Sequence, residues 1–142
     1  MYGLVLLVHS WLRWAVIAAG LVAVVKGGAP RAAAGKWFTI LLDVQIVLGL
    51  LLYFFLSPFT KVALNDFGAA MGNSQLRFFA VEHLFGMVIG TALAHIGTVK
   101  IRKAAADRRA RLAMIFYGLA LVAILISIPW PGMPAGRPLF RF

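Results

Sequence analysis

Four long apolar stretches dominate this sequence and restrict the folds that it can adopt. They cover residues 2–25, 37–57, 78–99 and 112–128, and each is close to the roughly 20 residues that a helix needs to cross a bilayer. Hydrophobic residues make up 63% of the chain and charged residues 13%, whereas a soluble domain is about half apolar and about a quarter charged. A 142-residue chain cannot bury that much apolar surface in its own interior. The sequence therefore predicts a membrane protein and excludes a soluble globular or a disordered one.

The basic residues predict how the spans are oriented. Nine of them lie in the loops after spans one and three, namely Lys26, Arg31, Lys36, Lys100, Arg102, Lys103, Arg108, Arg109 and Arg111. Four lie on the opposite side, namely Lys61, Arg77, Arg137 and Arg141. Because cytoplasmic loops are enriched in Lys and Arg, both termini are predicted to be periplasmic, together with the loop 58–77 and the tail 129–142.

Short loops favour an all-α, up-down-up-down bundle of four transmembrane helices, formed as a single domain by residues 1–142. The expected location is a bacterial inner (cytoplasmic) membrane, with the lipid bilayer as the main partner. Although the net charge is +10, the basic residues cluster between apolar stretches, which argues against nucleic-acid binding. The sequence has no cysteine, which excludes thiolate metal sites, Fe–S clusters and covalently attached haem. It also carries no known hydrolase or phosphate-binding motif, so no catalytic residue is predicted and an enzymatic activity is left open.

Two histidines are predicted at matching depth on different spans. His9 and His83 both lie near the periplasmic start of their spans, roughly 8–10 Å below the membrane surface at 1.5 Å per residue. Spans one and three are diagonal neighbours in such a bundle, so the two imidazoles are expected to face each other across its axis. That arrangement is typical of the axial ligands of a six-coordinate haem b. The alternative is a pair of histidines that only hydrogen-bond neighbouring helices.

Small residues follow His83 along one face of span three. Gly86 and Gly90 form a Gly-x-x-x-Gly step, which Ala94 continues. One interpretation is that a flat porphyrin lies against this strip. The other is close packing of two helices, for which small residues at this spacing are common.

Two arginines are candidates for charged contacts near the histidines. Arg13 lies one turn deeper than His9 and needs an anionic partner or water within the membrane. Glu82 is the nearest acidic residue by predicted depth. Arg77, at the interface, is better placed than Arg13 to bind a haem propionate.

A second polar pair is predicted near the cytoplasmic side. Asp43 and His95 lie on adjacent spans, roughly 8–10 Å from that surface. They are expected to form a carboxylate–imidazole hydrogen bond, either as a structural pair or as a proton relay or quinone contact. Asp43, Glu82 and His95 are all predicted to be buried polar residues.

Four segments carry a resemblance to a known family: residues 9–14, 51–58, 77–83 and 128–131. They resemble small four-span bacterial membrane proteins that are labelled "cytochrome b". The resemblance covers nearly the whole chain and implies haem b and membrane electron transfer, with matching positions at His9, Arg13, Glu82 and His83. The chain has three histidines, one fewer than the two-haem membrane cytochromes b need.

The leading hypothesis is therefore a haem b protein that passes single electrons between quinol and a membrane or periplasmic partner. The main alternative is a non-catalytic accessory subunit of a larger respiratory or photosynthetic complex, or a homodimer, in which the polar residues only hold helices together. A small transporter is a third hypothesis, although the broken helices and repeats typical of transporters are missing from the pattern.

Overall fold

Four helices that are long and apolar enough to cross a membrane form the protein. The computed structural model describes residues 1–30 and 33–141, and these contain helices and no β-strand. The prediction of an all-α, four-span membrane fold is confirmed. Arg31, one of the nine basic loop residues, lies outside the described part of the chain, as does Phe142 at the end of the predicted tail.

The spans differ from the predicted stretches mainly at their ends. The first is α1 (Tyr2–Lys26), and the second is α2 (Ala34–Leu51), which continues as a π-helical turn (Leu52–Leu56). Two short helices follow, α3 (Pro58–Asn65) and α4 (Phe67–Gly72). The third span begins with α5 (Ser74–Arg77), passes through a second π-helical turn (Phe78–Glu82) and continues as α6 (His83–Lys103), and the fourth is α7 (Ala106–Ile126).

Local sequence explains where the helices end. Pro58 follows the second span and begins α3, and the Ser57 hydroxyl accepts the Thr60 N–H, 3.4 Å away, as an N-cap. Helix α7 starts six residues before the predicted stretch because those residues are mainly Ala and Arg, which have high helix propensity although Arg is not apolar.

The four spans pack as a closed ring in which each lies against its neighbours in sequence and α7 returns to α1. Helices α1 and α6 are therefore diagonal, as predicted from the up-down order. The core between them contains Val16, Phe38, Leu42 and Tyr117. The Tyr117 and Thr98 hydroxyls lie 2.9 Å apart and share a hydrogen bond, which satisfies a polar group in the apolar interior.

The strip of small residues on α6 faces α7. A Cβ on Gly90 would lie 2.8 Å from Ile124 Cγ1 and 3.2 Å from the Ala120 carbonyl oxygen. A Cβ on Gly86 would overlap the Ser127 side chain. The interpretation of Gly86 and Gly90 as a surface for a porphyrin is therefore wrong, because helix–helix contact already occupies the space beside them.

The segment after α7 folds back against the first half of α1. Arg13 donates a 2.6 Å hydrogen bond to the Leu139 carbonyl oxygen, and Trp11 Nε1 donates one of 2.9 Å to that of Arg141. The Phe140 ring packs against the rings of Trp11 and Trp14, with centroids 5.5 Å away in both cases. Residues 129–141, called the tail below, thus cover one end of the bundle, where α1 begins and α7 ends.

Candidate functional site

The rings of His9 and His83 face each other inside this end of the bundle. Their centroids are 6.3 Å apart and their planes are inclined at 69°. His9 lies on α1, and His83 is the first residue of α6 after the π-helical turn. The predicted meeting of these two histidines across the bundle axis is confirmed.

The surroundings of His83 fix its tautomer. Nδ1 lies 2.7 Å from the Ser127 carbonyl oxygen at the end of α7. Because a carbonyl oxygen only accepts, Nδ1 must carry the proton and donate it. The other ring nitrogen, Nε2, then keeps its lone pair. A histidine that ligates a metal is oriented in this way in most metalloproteins.

Helix α2 positions His9 through Gln45 and Gly49, neither of which was assigned a role from the sequence. Gln45 Nε2 donates a 3.0 Å hydrogen bond to the His9 carbonyl oxygen. A Cβ on Gly49 would lie 3.3 Å from His9 Cε1, so glycine leaves room for the imidazole. The only available signal was a lone glutamine in an apolar span, with a glycine one turn later.

A cavity surrounds the two histidines and opens toward the tail. It has a volume of about 120 Å³, and the empty space reaches about 1020 Å³ when the open mouth is included. Sites for small molecules span about 300 to 1,000 Å³. A ligand of that size must therefore occupy the mouth as well as the interior. The interior is mainly apolar and includes Leu6, Val16, Leu42 and Met87.

Unsatisfied polar atoms concentrate in this cavity. Within residues 1–30 and 33–141, four buried side-chain atoms have no hydrogen-bond partner: His9 Nδ1, Arg13 Nε, Gln45 Oε1 and one terminal nitrogen of Arg137. All four residues line the cavity. Buried polar groups in proteins are nearly always paired, so this clustering indicates a place where ordered water or a ligand supplies the partners.

The mouth of the cavity is positively charged. Arg13, Arg137 and Arg141 line it, and no acidic residue is among its described lining residues. The Arg137 guanidinium lies 4.4 Å from the centroid of the Phe59 ring and 5.1 Å from that of Phe79. Burial first, and repulsion from Arg141 second, lower the pKa of Arg137. An anionic group at the mouth would relieve both penalties.

The predicted roles of the other charged residues near this end require correction. Arg13 is bonded to the tail carbonyl described above, whereas Glu82 accepts a 2.8 Å hydrogen bond from Arg77 Nε. Both side chains of that pair are nearly half exposed, because Glu82 lies on the outer side of the π-helical turn. Arg77 is also bonded to the Met71 carbonyl oxygen and does not line the cavity. The arginines positioned for an anionic group are therefore those of α1 and the tail.

The second polar pair lies nearer the other end of α6. His95 Nε2 is 2.7 Å from Asp43 Oδ1, so the predicted hydrogen bond is confirmed. The prediction that Asp43, Glu82 and His95 are buried is wrong. The Asp43 and His95 side chains are 52% and 48% exposed, because they project outward from the α2–α6 seam and away from the bundle axis.

Each π-helical turn also lies beside the cavity, which the sequence pattern did not predict. Tyr53, in the first turn, donates a 2.9 Å hydrogen bond to the carbonyl oxygen of Ala80 in the second. The Thr60 hydroxyl in turn donates to the Tyr53 carbonyl oxygen at 2.7 Å. Such turns release backbone groups from the regular ladder and are frequent at functional sites. Here they join spans two and three directly next to His83.

The spacing of the two rings meets one requirement of a haem held by two histidines. Two metal–nitrogen bonds of about 2 Å each, plus half of each ring, would separate the ring centroids by roughly 6 Å, and the observed separation is 6.3 Å. No group of three or more His, Cys, Asp or Glu that could hold a metal ion exists in the described residues. Haem needs only two protein ligands because the porphyrin supplies the other four. Its propionates would match the arginines at the mouth.

The geometric features of this site are the basis for assigning a function, because comparison with known proteins supplies none. The two facing imidazoles, the unsatisfied atoms and the arginine-lined mouth are all properties of this chain's own residues. Compared with models of known families, with curated proteins and with solved structures, the sequence and fold give no match.

Proposed function

We propose that this protein is a haem b protein of a bacterial inner membrane, which passes single electrons between quinol and a membrane or periplasmic partner. The observation that supports it most directly is the His9–His83 pair, with centroids 6.3 Å apart across the cavity. The unsatisfied His9 Nδ1 is a second support, and the resemblance of four segments to "cytochrome b" proteins is a third.

His9 and His83 are the residues that would hold the haem iron. The Ser127 carbonyl oxygen keeps the proton of His83 on Nδ1, which presents Nε2 as a ligand. Gly49 leaves space for the His9 ring, and Gln45 fixes the backbone of α1 at that residue. The Ser127 contact thus holds the His83 ring and the Gln45 contact holds the His9 backbone before the ligand arrives, so less ordering remains to be done upon binding.

The cavity would offer positive charge at its mouth and an apolar environment in its interior. Arg13, Arg137 and Arg141 would bind the propionates at the mouth, and the apolar interior keeps the local dielectric constant low. When bound, haem b would supply a one-electron iron couple whose potential depends on its axial ligands and on burial. Quinol, which is lipid-soluble, is a suitable electron donor for a site inside the bilayer.

The absorbance spectrum of the purified protein tests this proposal. We expect a sharp Soret band and a reducible α band from the protein expressed in haem-replete cells. His9→Ala and His83→Ala should each remove the low-spin spectrum, whereas His95→Ala, the matched control, should keep it. A helical circular dichroism spectrum distinguishes loss of haem from loss of fold, and added imidazole should restore the low-spin signal in a folded His83→Ala protein.

A colourless wild-type protein, or equal loss of haem in all three variants, would overturn the proposal. The accessory-subunit hypothesis would then be favoured.

The proposed orientation has a separate test. The basic loops predict that both ends of the chain face the periplasm. A reporter that is active only in the periplasm should work when it is fused to the C-terminal end. Activity of a cytoplasmic reporter at the same position would reverse the orientation without affecting the haem assignment.

A further inference from the structure

A second concave surface lies at the opposite end of the bundle from the histidines. It is an open groove of about 960 Å³ where α6 ends and α7 begins. Four basic residues line its outer part: Lys100, Lys103, Arg108 and Arg111. Its wall nearer the middle of the membrane is apolar and is formed by Ile96, Val99, Leu112 and Ile115. This surface is called the basic groove below.

The four cations of the basic groove have no carboxylate partner. The ion pairs within residues 1–30 and 33–141 join Arg77 to Glu82 and His95 to Asp43. His95 also lines the groove, but none of the four lysines and arginines takes part in either pair. The Lys100 ammonium lies 5.8 Å from the centroid of the Phe116 ring. Four like charges around one groove repel each other, so an anion bound there is stabilised by all four.

The turn between the helices holds this arrangement in place. Arg109 Nε donates a 2.9 Å hydrogen bond to the carbonyl oxygen of Ala104, so Arg109 closes the turn and does not line the groove. Arg108 and Arg111 lie in the first two turns of α7, and Lys100 and Lys103 lie in the last turn of α6. The cations therefore approach the groove from both of its sides.

The basic groove is complementary to a phospholipid, because it is cationic at one end and apolar at the other. Lys103 and Ile96 are seven residues apart on α6, so the surface changes from cationic to apolar over roughly 10 Å along the helix axis. The cationic part lies at the membrane edge of two spans, at the level of lipid headgroups. A soluble anion would use the charges but would leave the apolar wall exposed, whereas acyl chains would cover it.

We propose that the basic groove is a binding site for a phospholipid that carries two phosphodiester groups. Basic pockets between transmembrane helices bind headgroups of this class. Two phosphodiesters match four cations better than the single one of a simple acidic lipid does. The acyl chains lie along Ile96, Val99 and Ile115. This proposal is independent of whether the histidine cavity binds haem.

Lipid titration of the full-length protein in detergent micelles, followed by native mass spectrometry, tests this site. Four probes are compared: a cardiolipin, a phosphatidylglycerol, a phosphatidylcholine and inorganic pyrophosphate. We expect the cardiolipin to bind most tightly and phosphatidylcholine to bind least. Pyrophosphate should compete weakly, since it shares the charge but not the acyl chains.

Charge-neutralising variants locate the site. Arg108→Gln combined with Arg111→Gln should weaken cardiolipin binding roughly 25-fold, since each basic residue near a membrane surface contributes about fivefold. The matched control combines Lys36→Gln with Arg102→Gln, which removes the same charge from exposed residues on the same side that do not line the groove. The control should bind like the wild type. Equal weakening in both, or pyrophosphate binding as tightly as cardiolipin, would overturn the proposal.

Discussion

The two ends of this bundle use similar side chains in opposite ways. Around His83, the polar atoms of α1, α2 and the tail turn inward, into a cavity that protein surrounds. Around His95, the carboxylate partner and the neighbouring cations turn outward. Even the imidazoles differ, since His83 is bonded to a backbone carbonyl oxygen and His95 to a side-chain carboxylate. Residue type alone therefore does not determine which histidine can serve a buried ligand; the direction in which the ring points does.

The largest effect that we expect concerns packing beneath the inward-facing end. Gly90→Leu should lower the free energy of unfolding by about 3 kcal/mol or more, because the new side chain meets Ile124 and the Ala120 carbonyl oxygen, which belongs to the backbone and cannot move aside. Thermal unfolding in detergent micelles measures it. Gly118→Leu on α7 is the matched control, since a Cβ there meets nothing within 4 Å. A Gly90→Leu protein of unchanged stability would show that α6 and α7 do not depend on this close contact.

The next effect distinguishes the two arginines near the histidines. Arg13→Gln removes the charged donor to Leu139, a hydrogen bond of a class that contributes about 1.5–3 kcal/mol. We expect faster hydrogen exchange and proteolysis in the tail, together with weaker haem retention. Arg77→Gln should leave the tail protected, since Arg77 pairs with the half-exposed Glu82. If both variants release the tail equally, the conclusion that Arg13, and not Arg77, holds the tail is wrong.

A smaller and more selective effect is expected at Gly49. Gly49→Val places a branched side chain against the His9 ring, since even a Cβ would lie 3.3 Å from Cε1. Haem content should fall while the melting temperature changes little, because the cavity has room for the backbone to keep its position. Gly72→Val, where a Cβ meets nothing within 4 Å, serves as the control. Full haem content in Gly49→Val would remove this glycine from the site.

The smallest effect is expected at the outward-facing pair. Asp43→Asn should change the free energy of unfolding by no more than about 1 kcal/mol, because the asparagine side chain still has an oxygen that accepts a hydrogen bond from His95. The absorbance spectrum of the proposed haem should not change. A large loss of stability would indicate that Asp43 is covered in the membrane, and a spectral shift would connect the two ends that we describe as separate.

Hydropathy and the positions of basic residues were sufficient to predict the helical class, the four spans and the diagonal placement of α1 and α6. The meeting of His9 with His83 followed from their depth and the up-down order of the spans, as did that of Asp43 with His95. The sequence did not predict how each helix is rotated about its own axis, and therefore which neighbour each of its faces contacts. The sequence allowed Gly86 and Gly90 to form either a ligand surface or a helix contact. The position of α7 beside both glycines shows that they form a helix contact.

The remaining parts of the site depend on contacts between residues far apart in sequence. Arg13 was paired with Glu82 on depth, but the tail returns across about 126 residues to reach it. Neither a hydrophobic pattern nor a proline-rich composition predicts where such a segment docks. Similarly, the two π-helical turns arise where tertiary contacts satisfy the backbone groups that they release, so no local signal in residues 52–56 or 78–82 predicted them.

The tail makes the mouth of the cavity separable from the four-helix bundle. Arg137 and Arg141 line the cavity from residues 129–141, which belong to none of the four spans. Leu139 and Phe140 dock this segment on α1. Proteolytic removal of the tail should therefore take away two of the three arginines at the mouth and widen the opening, while the two histidines keep their positions on α1 and α6.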